Sequence, residues 1–499
     1  NFYPNYAQLS QRLFEENHIV MPNESLHALY DGGGGANLKT YWDMFEKSSV
    51  GGGLMIWALY DEGLLRTDKG NRPDNQINKA ADGIVGPNGE KSGSYYAVRE
   101  IWSPVQIEEE SVTQDFNGEL TITNKFTFLN LNQCQIKWRL IHFASTNSAS
   151  TGYRTVATGQ VNERDIAAGS KGKIQLRLPQ NFRNADALAV EVLDNKGNSI
   201  YEKNLPVQKQ TNYFQTAANQ QFTQDKDNPY RFYFGNVALQ FNARSGILDS
   251  VIVKGKATSI AGFPFIDVKS ADSISVDTYA VPGKVSIKKE KDVFILEVKK
   301  SNGFDYLKWY LKPSGEIQLD YQFSVAKGNY HYAGIGLKVN ASDVLSKRWL
   351  GEGPSSIWKN RTQGGILNVY STKKYINVPG QIYNPPVFEG CFAPWEWAIF
   401  NLEKDVSLGF KNNTELILGV LNPKNSIEPK SATWHYPEKE GFYFFHAISP
   451  VGSKWKAANE FGPDGQPNKI VNPLSGSVSV YINWNSPNRL TEKFKIEIE

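Results

Sequence analysis

Among the 499 residues, Glu24 is the carboxylate whose surroundings best suit chemistry. It lies just past the short apolar run His18-Ile19-Val20-Met21-Pro22, His27 follows three residues later, and the glycine-rich stretch Asp31-Gly32-Gly33-Gly34-Gly35 comes next. A carboxylate fixed at a strand end beside a pliable loop can be held as a nucleophile while a ligand enters. The competing reading is a loop glutamate without function, and for one residue in isolation it is the commoner case. His27 alone reads more often as a structural histidine. Trp57 lies in a second apolar run, Gly53-Leu54-Met55-Ile56-Trp57-Ala58-Leu59. Its ring could floor a sugar subsite, although a lone tryptophan there is more often core.

The elements that must position these residues follow from periodicity. Asn5 to Asn17 carries Tyr6, Leu9, Leu13 and Phe14 at helical spacing, and a helix-like stretch runs from Ala36 to Lys47. Short continuous apolar runs alternating with helices predict a parallel α/β arrangement over residues 1–105, with strands ending near Asn23 and Leu59. Polar residues follow both runs, where α/β barrels place their active sites. From Val105 the pattern turns to strict alternation, as in Leu120-Thr121-Ile122-Thr123. Seven or so short strands over 106–207 predict an immunoglobulin-like sandwich. The Gln- and Asn-rich stretch 208–224 reads as a linker, and 225–499 as one large two-sheet β domain. The fold class expected is therefore mostly β and multidomain.

Composition narrows the function classes. A formal charge of +3 from 54 basic and 51 acidic residues gives no field for nucleic acid or an anionic membrane. Aromatic residues make up 13% of the chain, which suits β-sandwiches and surfaces that stack on sugar rings. Cys134 and Cys391 are the only two cysteines, too few for a thiolate metal site, and they read as buried apolar residues. No apolar run is long enough to span a bilayer. The opening Asn1-Phe2-Tyr3-Pro4 is neither an initiator methionine nor a signal peptide, so a piece of a longer chain is expected.

The order of the motifs carries more than any one of them. Glu24-Ser25-Leu26-His27, Lys39-Thr40-Tyr41-Trp42, Gly52-Gly53-Leu54-Met55-Ile56-Trp57 and Asp61-Glu62-Gly63-Leu64 together resemble family 2 glycoside hydrolases of the β-galactosidase type. The likeness continues through Ala81-Asp82-Gly83-Ile84-Val85 and Tyr95-Tyr96-Ala97-Val98-Arg99-Glu100-Ile101-Trp102. Further on, Phe241-Asn242-Ala243-Arg244-Ser245-Gly246 is similar to the start of that family's last domain. Trp349-Leu350-Gly351-Glu352-Gly353-Pro354, with Trp358 and Arg361 after it, is similar to one of its motifs. Where the family commonly has Glu-Tyr-Ala-His-Ala-Met-Gly-Asn, this chain has Glu24-Ser25-Leu26-His27-Ala28-Leu29-Tyr30-Asp31.

That resemblance implies the C-terminal piece of a TIM (β/α)8 barrel over 1–105, the sandwich, and a large C-terminal β-sandwich domain. It implies Glu24 as the nucleophile of a retaining exo-glycosidase that removes a terminal β-linked sugar, most readily β-galactose, from oligosaccharides or glycans. It also implies Tyr3 as hydrogen-bond partner of Glu24, His27 and Trp57 as substrate contacts, and Asp82 as neighbour of a sodium site. Sodium or magnesium would belong to the full-length enzyme, with no cofactor required from this segment. The family's acid/base carboxylate would lie upstream of Asn1, so the missing N-terminal half is an expected partner and the 499 residues alone an inactive piece. A homo-oligomer and a bacterial periplasmic or secreted address accompany the resemblance. The alternatives are another family 2 specificity (β-glucuronidase, β-mannosidase or arabinosidase) or a non-catalytic carbohydrate-binding or assembly module. The Trp349–Pro354 motif, with glycines flanking Glu352, is expected to be a loop with Trp349 buried.

Overall fold

The computed structural model describes residues 3–27, 34–74, 82–86, 89–209, 211–214, 220–272, 283–373, 390–421, 435–453 and 456–483. Helix α1 (Tyr6–Glu15) starts at Asn5, whose side chain accepts from Gln8 N–H at 2.9 Å while the Gln8 side chain accepts from Asn5 N–H. This reciprocal cap satisfies two otherwise orphaned donors. Leu9 and Leu13 form its buried stripe, whereas Phe14, expected on that face, is exposed because it lies one residue round the helix from Leu13. Helix α2 (Leu38–Lys47) buries Leu38, Tyr41, Met44 and Phe45, and helix α3 (Gly93–Ile101) buries Ala97, Val98 and Ile101 against them.

The two apolar runs lie side by side and in parallel, but not as continuous strands. Isolated parallel bridges join Val20 to Gly51, Ser25 to Ile56 and Tyr60 to Val85. Pro22 has no N–H to donate and Gly51–Gly53 has no side chains to pack, so the ladder is interrupted where strands were expected. The described residues form no barrel.

Residues 105–207 form two antiparallel sheets. One joins Val105–Ile107, Glu119–Asn124 and Lys171–Gln175; the other joins Tyr153–Gln160, Gln135–Phe143, Ala187–Leu193 and Ser199–Pro206. Alternation places Leu120 and Ile122 of the first sheet against Ile136, Trp138, Leu188 and Val190 of the second in one core. Beyond residue 222, sheets of eleven and nine strands enclose a single aromatic-rich core. In it Trp309 is 1% exposed and donates its indole N–H to Gly246 O at 2.8 Å. Among the described residues no helix is long and apolar enough to cross a membrane.

Two expectations need correction. Trp349 is buried as expected, but it sits on the strand Val344–Gly353, inside the nine-stranded sheet between Trp395–Leu402 and Ile366–Lys373. The glycines there serve close approach and not a turn: a Cβ on Gly351 would stand 2.7 Å from Pro394 O. The stretch 208–224 is also more than a spacer. Phe214 is buried and stacks on Tyr481 with ring centroids 4.1 Å apart, and Phe222 enters the large core.

The parts are tied together by buried polar contacts. The Arg348 guanidinium donates to the carbonyls of Ser145, Thr146 and Ser150, and burial pulls its pKa down to about 10. Phe461, on the short turn Ala458–Phe461, packs into the core of the first segment, and Thr40 bonds Asp464 there. Arg361, 1% exposed, donates to Ser356 O and to Ser94 Oγ of α3.

Candidate functional site

The carboxyl ends of the parallel segments carry the site. Ser25 O accepts from Trp57 N–H at 3.2 Å, and Asp82 O accepts from Ala58 N–H at 2.8 Å. These bonds bring Glu24, Trp57 and Asp82 to one edge although they are remote in sequence. Leu26 adopts φ +50° between Ser25 and His27 and is buried, so the chain turns sharply after Glu24 and directs His27 inward. Gly83 packs so tightly on the next segment that a Cβ would stand 2.2 Å from Asp61 N.

Tyr3 is held against Glu24. Its N–H donates to Glu24 O at 2.8 Å, and its phenol lies close enough to the Glu24 carboxylate to feel it electrostatically. Burial raises the Tyr3 phenol pKa first, followed by the Glu24 carboxylate and by the charges of Asp82 and Glu62. The hydroxyl therefore stays protonated throughout the usual pH range. The Tyr3 ring lies 5.6 Å from the His27 ring. His27 Nε2 is 3.2 Å from Asp82 Oδ2, with both side chains 3% exposed. Glu24 and Trp57 are only partly buried, so the carboxylate and the indole remain reachable from solvent.

All five residues singled out from sequence thus share one edge: Tyr3 touches Glu24 and His27, His27 touches Asp82, and Trp57 is bonded to the segment that carries Glu24. The loop positions Ala28–Gly33 and Ala81 lie outside the described residues. Asp61 was not singled out, yet it is buried and its Oδ1 accepts from Gly83 N–H at 2.8 Å, which anchors the turn after Asp82. The available signal was its place just past the second apolar run. The Asp82 carboxylate, expected beside a sodium site, faces the His27 imidazole.

No protein-family model matches the chain, and no curated protein matches it. Solved structures give distant likenesses. A galactose 1-epimerase from Lactobacillus acidophilus matches at 8% identity and TM-score 0.29, covering 54% of this chain and 99% of its own. An exo-chitosanase from Amycolatopsis orientalis matches at 8% identity and TM-score 0.16, covering 74% of this chain and 32% of its own. A β-glucuronidase from Bacteroides uniformis matches at 12% identity and TM-score 0.13, covering 66% and 33%. At these scores the likenesses decide neither fold family nor activity.

Proposed function

We propose that residues 1–105 are the closing part of a glycosidase (β/α)8 barrel and that Glu24 is the nucleophile of a retaining exo-β-glycosidase. The observation that carries this reading is the partly exposed Glu24, held to Tyr3 by a backbone bond, beside the buried His27–Asp82 pair. A carboxylate held in place at a strand end and open to solvent is suited to attack. Glu24 attacks the anomeric carbon, a glycosyl ester forms, and the leaving-group oxygen takes its proton from a second carboxylate. Water then cleaves the ester. His27 binds a sugar hydroxyl and Trp57 packs on the apolar face of the ring. A terminal β-galactoside is the preferred substrate, and a secreted or periplasmic setting suits it.

The second carboxylate belongs to a segment that covers this edge of the site. What supports a covering segment is the apolar exposure near the site: Ile19, Met21, Met55, Leu59, Tyr60 and Leu64 are all more than half exposed. Labelling with a 2-fluoro-β-galactoside, on the complete enzyme, tests the assignment. Glu24 alone should carry the sugar, and Glu24→Gln should lower turnover by about three orders of magnitude or more. Labelling at another carboxylate would overturn the role of Glu24. The absence of any labelling or turnover would favour a non-catalytic carbohydrate module.

A further inference from the structure

The large β region meets the first segment along a line of contacts that ends next to Tyr3. Residues 358–361 form a tight turn of the large region, in which Trp358 and Arg361 exchange backbone bonds at 3.0 and 3.1 Å. Asn360 in this turn is 7% exposed, and its side chain pairs with the Val451 backbone. Its Oδ1 accepts from Val451 N–H at 2.9 Å, and its Nδ2 donates to Val451 O at 2.8 Å. A side chain bound at both ends cannot swing, so the Asn360 carbonyl is held in one direction. That carbonyl accepts from Asn37 N–H at 2.8 Å, at the start of α2.

Helix α2 carries the constraint onward. Asn37 O accepts from Tyr41 N–H at 3.0 Å, in the first turn of the helix. Tyr41 is wholly buried and lies against Phe461 of the large region, with ring centroids 6.2 Å apart. Its hydroxyl donates to Pro4 O at 3.0 Å. Burial, then the charge of Glu460, raises the Tyr41 phenol pKa, so the hydroxyl keeps its proton and remains a donor. Pro4 is itself buried and links Tyr3, whose N–H donates to Glu24 O, to Asn5, which caps α1. Tyr3 needs such a hold. Its φ of +46° is costly for an L side chain and persists only where neighbouring contacts fix the chain.

We infer that Tyr41 is a positioning residue for Glu24: by pinning Pro4 to α2, whose start Asn360 fixes, it keeps the Tyr3 N–H on the Glu24 carbonyl. The catalytic consequence rests on Glu24 being the nucleophile, whereas the contacts do not. A misplacement of about 1 Å at a reacting group can cost about two orders of magnitude in rate, so a loosened Pro4 is felt at the carboxylate.

Amide hydrogen exchange followed by NMR tests the contacts in the 499-residue chain without any turnover. Tyr41→Phe keeps the ring and removes the hydroxyl. The Tyr3 amide should then exchange about fivefold faster or more, because Pro4 O is left buried without its donor, while the amides of α2 keep their rates. Unchanged exchange at Tyr3 would overturn the inference, as would equal acceleration throughout α2. Asn360→Ala leaves Tyr41 in place and should speed exchange at Asn37 and, less strongly, at Tyr3. No change at Tyr3 would overturn the role of Asn360, and this variant decides if Tyr41→Phe fails to fold. In the complete enzyme, Tyr41→Phe should lower kcat about tenfold or more with KM changed less than about threefold, and an unchanged kcat would overturn the positioning role. Failure of the wild type to label at Glu24 would instead strike the nucleophile reading and leave the exchange result at Tyr3 standing.

Discussion

Replacing Gly364 by alanine tests whether the turn that meets α3 is held by shape. Gly364 has φ +93°, and its missing Cβ would stand 2.5 Å from Ala97 N and 2.6 Å from Tyr96 C. Those atoms are backbone of α3 and cannot rotate away. The positive φ costs roughly 1–2 kcal/mol for an L side chain. The overlap forces helix and turn apart, for about 1–3 kcal/mol more. Separation also stretches the Glu100 bond to Gly364 N–H, a charged hydrogen bond contributing about 1.5–3 kcal/mol. The sum is about 3.5–8 kcal/mol if the three terms add. Coupled terms seldom add fully, so about 3 kcal/mol is the floor expected. A chain with several sheets need not unfold in one step, so the readout is local: hydrogen exchange of α3 amides. Opening should rise about a hundredfold or more, at 1.4 kcal/mol per factor of ten. Gly255→Ala is the control, since Gly255 has φ +73° with nothing within 4 Å of its missing Cβ. It carries the conformational cost alone and should leave α3 unchanged. Exchange in Gly364→Ala within threefold of the wild type would refute the steric reasoning.

Two further outcomes follow from single contacts. Burial pulls His446 down to about 4, and its Nε2 sits 3.0 Å from the Tyr321 hydroxyl. The folded state then binds that proton less tightly than the unfolded chain, so stability is full above about pH 6.5 and declines toward pH 4. Unfolding free energies from urea titrations across that window should fall by an amount on the order of 2 kcal/mol more in the wild type than in His446→Gln, and equal slopes would contradict the burial argument. Phe214→Ala empties a site that is 1% exposed and stacked on Tyr481. A loss of about 3–5 kcal/mol is expected in unfolding followed by near-ultraviolet circular dichroism, against less than 1 kcal/mol if 208–224 were a free linker.

What the sequence announced and what it hid divide along physical lines. Glu119–Asn124 was legible because its alternation repeats over a whole strand, and every second residue is buried. The runs around Val20 and Ile56 were legible as extended and parallel, but Pro22 and Gly51–Gly53 break their ladders into single bridges. Glycine was the ambiguous residue at Gly351 and Gly353. A turn and a close strand approach both require the absence of a Cβ, and only the neighbours Trp395 and Tyr370 decide between them. The polarity of 208–224 masked Phe214 because one aromatic anchor barely alters a window average.

The site follows the same rule at longer range. Glu24 and His27 are close in sequence, so a strand end and a three-residue offset could flag them. Nothing local links Tyr3 to Glu24 or Asp82 to His27. Those contacts exist because three parallel segments exchange backbone bonds, Trp57 to Ser25 and Ala58 to Asp82, and because Asp61 pins Gly83. The Asp82 carboxylate lies against the imidazole of His27. An imidazole and a carboxylate that are both nearly fully buried stabilise each other only as a hydrogen-bonded pair. Asp82 therefore orients His27, and the imidazole in turn packs beside the ring of Tyr3, whose N–H holds the Glu24 carbonyl.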